Sequence, residues 1–266
     1  MTITAKIIAD SVADGCPRLT TMQLRYPRFI HSEVMTHRAF SRNASSSRAI
    51  PVERLIQDVL DDPAMPIYWG SNKPGMQAGE EVFCKDDAKK VWQSGLHSSL
   101  SCARLMTEMG LHKQIVNRIL EPYAHINVLV TATDWDNFFA LRDHPDAQPE
   151  IAALARAMKE AMAESTPEWL DPRDWHLPYT TDYDRAGDIA VAKAVSAARC
   201  ASVSYKTVDG KPMTVDKALK IYDKLAGSDP IHASPFEHIA RPAPEGGKGC
   251  RNFTNWHQWR HDVEEN

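Results

Sequence analysis

The sequence predicts an α/β fold, and three observations carry that expectation. Two β-branched runs at the N-terminus flank Gly15-Cys16-Pro17, the pattern of strands joined by a turn. Several later stretches carry apolar residues at three- and four-residue spacing, the period of amphipathic helices. Between these stretches lie segments rich in Pro, Gly and aromatic residues, which read as ordered loops rather than core elements.

Taken in order, residues 1 to 12 and 19 to 30 read as strands. Phe29, Ile30, Val34 and Met35 form the apolar side of a short helix. After Pro51, Val52 to Leu60 is expected to be helical with Val52, Leu55, Ile56 and Val59 on one face. Residues 86 to 109 form a long amphipathic helix through Ala88, Val91, Trp92, Leu96, Leu100, Ala103 and Met106, despite Gly95. A second helix through Ile115 and Ile119 ends at Pro122. Val128 to Thr133 reads either as a strand or as the lead-in to a helix through Phe138, Phe139 and Leu141. Ile151 to Met162 is helical, with Glu150 in the first turn where the helix dipole favours a carboxylate. Ile189 to Ala198 and Val215 to Leu225 are helical, Ala201 to Lys206 is strand-like, and Ile231 to His238 opens another packed element. Surface excursions are expected at 62 to 80, 165 to 186 and 240 to 250.

A chain of 266 residues is near the upper limit of what one hydrophobic core serves, so a single domain over 1–266 is expected. No apolar run approaches the roughly 18 residues needed to span a bilayer, and no secretory pattern opens the sequence, which predicts a cytoplasmic protein with no membrane partner. The net charge of -4 argues against a broad nucleic-acid surface while leaving room for a local basic cluster. The five cysteines are odd in number, scattered and free of Cys-x-x-Cys pairs, against both a disulfide framework and a structural metal site.

The segment most suggestive of chemistry is Thr36-His37-Arg38-Ala39-Phe40-Ser41-Arg42-Asn43-Ala44-Ser45-Ser46-Ser47-Arg48, which packs three arginines, a histidine, an asparagine and four serines into thirteen positions. Arginine offers a planar fork of donors suited to phosphate or to the edge of a planar ring. If Arg38, Ser46 and Arg48 share a wall, they would bind phosphate while Asn43 reads a base, and only a turn-containing segment would unite them. A solvated Arg/Ser loop whose serines cap the next helix explains the same composition.

Three further clusters carry paired readings. Asn137 and Arg142 stand about 140 degrees apart on one helix, near enough to flank a ligand, although ordinary ion pairing accounts for Arg142 equally. Gln148 and Glu150 open the next helix, whose amide groups would help to hold an anion. His232, Glu237 and His238 tempt a metal reading, but a separation of six between the histidines fits no zinc pattern; a core or solvent-facing role and a place against an aromatic cofactor stay open. The run Phe253 to His261 suits either stacking on a planar cofactor or core packing.

With these residues in view, the chain resembles the flavin-dependent thymidylate synthases. Their hallmark is Arg-His-Arg, seven residues, then Ser, with an Asn in the gap and an Arg two past the Ser. Here Thr36-His37-Arg38 leads by that spacing to Ser46 and Arg48, with Ser41 and Asn43 in place. A second family pattern matches Asn137, Leu141-Arg142, Ala147-Gln148 and Glu150, and Asn117-Arg118-Ile119-Leu120-Glu121-Pro122 is similar to a third. Ala198 to Tyr205 and His232 to His238 resemble blocks that usually precede the hallmark but follow it here, as in a circular permutation.

The resemblance implies a mixed sheet flanked by helices in a homotetramer with shared active sites. It implies transfer of the methylene of methylenetetrahydrofolate to C5 of dUMP, reduction by hydride from FAD, NADPH as reductant, and no cysteine nucleophile. It assigns Ser46 and Arg48 to the dUMP phosphate, Arg118 to the nucleotide and Arg142 to the uracil edge, where a cation stabilises the activated ring. His37, Arg38, Asn43, Asn137 and His232 fall to FAD. No metal ligands are implied. Two departures stand out: Thr36 replaces the first Arg of the hallmark, and Ala44 replaces a Glu common two before the Ser. They leave room for another pyrimidine nucleotide, UMP or dCMP, for a hydroxymethyl product, or for a nucleotide-binding protein without turnover.

Overall fold

The computed structural model describes residues 2–204 and 213–265. Its centre is a five-stranded mixed sheet in the order β3-β4-β2-β1-β5, formed by β1 (Thr4–Ala13), β2 (Cys16–Pro27), β3 (Ser41–Ala44), β4 (His125–Ala132) and β5 (Glu168–Trp169). The pairs β1/β2, β2/β4 and β3/β4 are antiparallel and β1/β5 is parallel. The hairpin turns at Gly15, whose φ of +67° suits glycine, and a Cβ there would lie 2.9 Å from Pro244 Cβ. A second, two-stranded sheet pairs β6 (Ala240–Pro242) with β7 (Trp256–Gln258).

Around the sheet run α1 (His31–Met35), α2 (Val52–Asp61), α3 (Lys85–Glu108), α4 (Lys113–Val116), α5 (Asp136–Arg142), α6 (Pro149–Glu164), α7 (Asp182–Arg185), α8 (Ile189–Ala201), α9 (Val215–Ala226) and α10 (Trp259–Glu265). The mixed α/β architecture expected from sequence holds.

The two faces of the sheet differ in chemistry. Alternation along β2 and β4 sends Met22, Leu24, Tyr26, Ile126, Val128, Val130 and Ala132 to one side, where they meet Ile151, Leu154, Ala155 and Met158 of α6 in the main core. The opposite side carries Thr21, Gln23, Asn127 and Thr131, and the C-terminal part of the chain lies over it. There Thr21 Oγ1 lies 2.7 Å from both Thr131 Oγ1 and His176 Nε2, Ser11 Oγ lies 2.8 Å from His176 Nδ1, and Thr131 Oγ1 lies 2.7 Å from His238 Nδ1. Every member of this chain is buried, and burial drives the pKa of both histidines down to about 3. A separate cluster packs α2, α3 and the 3-10 turn Asn117–Tyr123 through Leu55, Val59, Leu96, Leu100 and Leu120.

Several local expectations change. Val91 lies on the outward side of α3 and is 72% exposed, because Leu96, Leu100 and Ala103 define the packed face. The turn after α4 continues through Pro122 as 3-10 helix, which tolerates proline where an α-helix would not. Ala201 ends α8, and Ser202–Ser204 is 3-10 helix, so the strand read at 201 to 206 is absent up to 204, and its last two positions lie outside the described residues. The Glu150 carboxylate is 3% exposed and accepts the Ile67 amide at 2.7 Å, which ties down the 62 to 84 loop instead of leaving the helix start open to a ligand. Phe253, Trp256 and Trp259 are core residues, so the C-terminal aromatic run packs rather than stacks on a ligand.

Candidate active site

The donor-rich run folds as turn, strand and turn, because its apolar members seek the core. Phe40 is buried against Trp135 and Phe138, with ring centroids at 4.7 and 5.3 Å, and this pins the first turn. Arg42 Nη1 donates to the carbonyls of Met35 at 2.8 Å and His37 at 3.1 Å and so closes it. The strand β3 then pairs with β4 from Ser41 to Ala44. From the other side the C-terminal segment clamps it: Asn252 Nδ2 donates to the Ala39 carbonyl at 3.0 Å, and Gln258 Nε2 to Ser41 Oγ at 3.2 Å.

Onto this run the fold brings α5. Arg142, in the last turn of that helix, donates from Nε to His37 Nε2 at 2.9 Å and from Nη2 to Thr36 Oγ1 at 3.4 Å. Two motif segments 105 positions apart therefore meet. The neighbouring Asp143 does not neutralise Arg142. Its carboxylate is held by Lys159 at 2.7 Å and Arg156 at 3.1 Å, which lower its pKa. Among the described residues Arg142 has no carboxylate partner.

A second group gathers at Glu121. Its Oε1 accepts from Ser47 Oγ at 2.6 Å and Arg118 Nη1 at 2.9 Å, and pairs with Arg28 Nη2 at 3.1 Å. Asn117 Nδ2 donates to the carbonyls of Ser47 and Ile50 at 2.7 and 2.9 Å, which shapes the backbone that carries Ser46 and Arg48. Between the two groups lie Tyr26, whose hydroxyl is 2.9 Å from His31 Nδ1, and Arg42. Burial and the charges of Arg28 and Arg42 push the His31 pKa down, while Glu121 opposes them. Arg142 and Arg42 thus both bear on His37, and Arg42 and Arg28 on His31, while Arg28 and Arg118 are paired with Glu121.

The sequence-predicted residues divide accordingly. His37, Arg142 and Thr36 come together, as do Arg118 and the turn that holds Ser46 and Arg48; Arg38 and Arg48 are exposed and Ser46 is half-buried. Asn43 Nδ2 donates to the Cys200 carbonyl at 3.3 Å, so its amide is engaged by the last turn of α8. Asn137 is exposed on α5. His232 is exposed before the 3-10 turn Ser234–His238, its amide is bonded to the Leu225 carbonyl at 3.2 Å, and among the described residues none of its hydrogen bonds runs to the hallmark run. Arg28, His31 and Tyr26 were not singled out from sequence, since the end of a strand and the turn after it carry no spacing signal. Among the described residues no cluster of His, Cys, Asp and Glu is arranged to hold a metal, and no helix is long and apolar enough to cross a membrane.

Two structures of the UMP/dUMP methylase PolB from Streptomyces cacaoi, bound with 5-Br dUMP and with 5-Br UMP, are similar to this chain at 18% identity. They give TM-scores of 0.48 and 0.47, with 61% of this chain and 90% and 89% of those chains covered. No curated protein sequence matches. The family model described as "Thymidylate synthase complementing protein" matches residues 19–168, a stretch that holds most of β2, the donor-rich run, the Glu121 group and α5. That match spans more than half of the chain, which therefore belongs to the thymidylate synthase complementing protein family.

Proposed function

We propose that the chain is a flavin-dependent thymidylate synthase that moves the methylene of methylenetetrahydrofolate to C5 of dUMP. The observation that carries this reading is the meeting of Arg142 with the His37 segment, which sets an uncompensated guanidinium beside the hallmark run. A cation at the pyrimidine edge stabilises the negative charge that develops as the ring is activated. Ser46 and Arg48, with Arg118 at the Glu121 group, take the nucleotide and its phosphate; arginine forks suit phosphate oxygens. Exposed Arg38, Asn137 and His232 are the side chains of this chain offered to FAD, with His37 and Asn43 behind them. FAD, when bound, supplies the hydride that completes the methyl group, and NADPH replenishes it.

Three of the five cysteines fit a reaction without a thiolate nucleophile, and the other two, Cys84 and Cys102, are exposed on or beside α3, away from the hallmark run in sequence. Cys200 is fully buried and burial pushes its thiol pKa far up, and Cys16 and Cys250 are shifted the same way. The reading also includes a homotetramer with shared sites and a permuted order of blocks. The Asn43 bond to the Cys200 carbonyl supports the second point, because it seats a block from late in the chain on the hallmark strand.

The test is incubation of the purified protein with methylenetetrahydrofolate, NADPH and each of dUMP, UMP and dCMP, followed by product mass. A dUMP product heavier by one methylene unit supports the proposal. Reaction with UMP or dCMP alone, or a hydroxymethyl product, points to the related methylases that Thr36 and Ala44 bring to mind. A protein that binds nucleotide, carries no flavin and oxidises no NADPH is a non-catalytic binder.

A further inference from the structure

His37 faces Arg142 as an acceptor. Arginine carries only donors and stays protonated, so the 2.9 Å contact from Arg142 Nε requires a lone pair on His37 Nε2 and puts the imidazole proton on Nδ1. The ring is held on two sides. Phe138 meets it edge-on at 4.8 Å and Phe40 lies near-parallel at 6.0 Å, and His37 is only 9% exposed. Phe138 sits one turn before Arg142 on α5, so a single helix supplies both the wall against the imidazole and the guanidinium that it orients. Thr36 adds a second acceptor, its own hydroxyl proton being committed to the Glu33 carbonyl at 2.6 Å.

We propose that His37 is a positioning residue whose neutral imidazole fixes the angle of the Arg142 guanidinium, and that protonation of the imidazole releases the arginine. The inference rests on the reading above, in which Arg142 acts at the pyrimidine edge. The charges that bear on the ring are both cationic, Arg142 from α5 and Arg42 from β3, while Phe40, Phe138 and Thr36 are uncharged. Burial first, then Arg142, then Arg42 lower the His37 pKa, so the neutral acceptor persists through neutral pH.

The experiment has two arms. In the first, the His37 ring nitrogens are followed by 15N NMR in the wild type and in Arg142→Ala. The wild type is expected to show the Nδ1–H tautomer and a depressed titration, and R142A a titration moved upward. The opposite tautomer, or identical titrations, overturns the inference whatever the protein's activity. In the second arm, His37→Phe keeps a flat ring without an acceptor and is expected to lose about 100-fold in kcat with little change in KM. His37→Gln restores an acceptor that does not titrate, and recovers much of that loss without the acid limb seen in the wild type. Wild-type kcat in H37F, or an unchanged acid limb in H37Q, overturns it as well. If the wild type alkylates no nucleotide, the reading of the site falls, and the NMR arm alone decides the coupling.

Discussion

Ser47 Oγ donates to Glu121 Oε1 across 2.6 Å, and the same carboxylate oxygen collects Arg118 and Arg28. One carboxylate thus joins the turn after β3, the segment before β4 and the end of β2. Glu121→Ala is expected to lower unfolding stability by about 2 kcal/mol, since it leaves the buried Ser47 hydroxyl and the partly covered Arg28 guanidinium without their shared acceptor, the exposed Arg118 counting for little. Urea denaturation of the variant against the wild type measures this.

Arg142→Ala is expected to abolish turnover while flavin stays bound. Loss of a cation that acts on developing charge costs on the order of 3 kcal/mol in activation free energy or more. Steady-state kinetics beside the absorption spectrum of the purified variant separates the two effects.

Ser46→Ala is expected to weaken nucleotide affinity by roughly 1.5 to 3 kcal/mol, the range for one hydrogen bond to a charged group. Isothermal titration with dUMP checks it, and an unchanged affinity removes Ser46 from the phosphate site.

Acid should unfold the protein over a definite window. His176 and His238 titrate near pH 3 and His125 near pH 4 in the fold, all below the ordinary imidazole value of about 6.5. Between those limits the unfolded chain binds more protons than the folded one. Stability contributed by the neutral rings is therefore complete above about pH 6.5 and falls as pH drops toward 4 and 3. Denaturant midpoints across that range should decline on the acid side and level off above neutrality.

Thr131→Val keeps the shape of a buried side chain but removes the hydroxyl shared by Thr21 and His238. The expected cost is about 1 to 3 kcal/mol, because polar partners stay buried and unsatisfied. Thermal unfolding reads it, and a neutral result would show that the two groups re-pair.

How much of this was legible depended on range. The helices α2, α6 and α9 announce themselves through local period, and the hairpin of β1 and β2 through its turn. The hallmark run gave away its residue types but not the strand inside it, because Ser41 to Ala44 is held by pairing with β4 rather than by propensity. Val91 misled because periodicity places a residue on a helix without saying which side will be covered. The bonds from Arg142 to His37 and from Asn43 to the Cys200 carbonyl join positions 105 and 157 apart, and no local pattern encodes them. Thr36, which looked only like a lost cation, stands in the structure as an acceptor for Arg142.

The polar side of the sheet bears on how the last third of the chain finds its place. Hydrocarbon surfaces tolerate sliding, since a small shift trades one contact for another of similar worth. A seat built from Thr21, Thr131, His176 and His238 is directional: displaced by one residue, it forfeits its whole set of matched donors and acceptors together. The seam is thereby made selective more than strong, and a wrongly docked tail would gain little by staying.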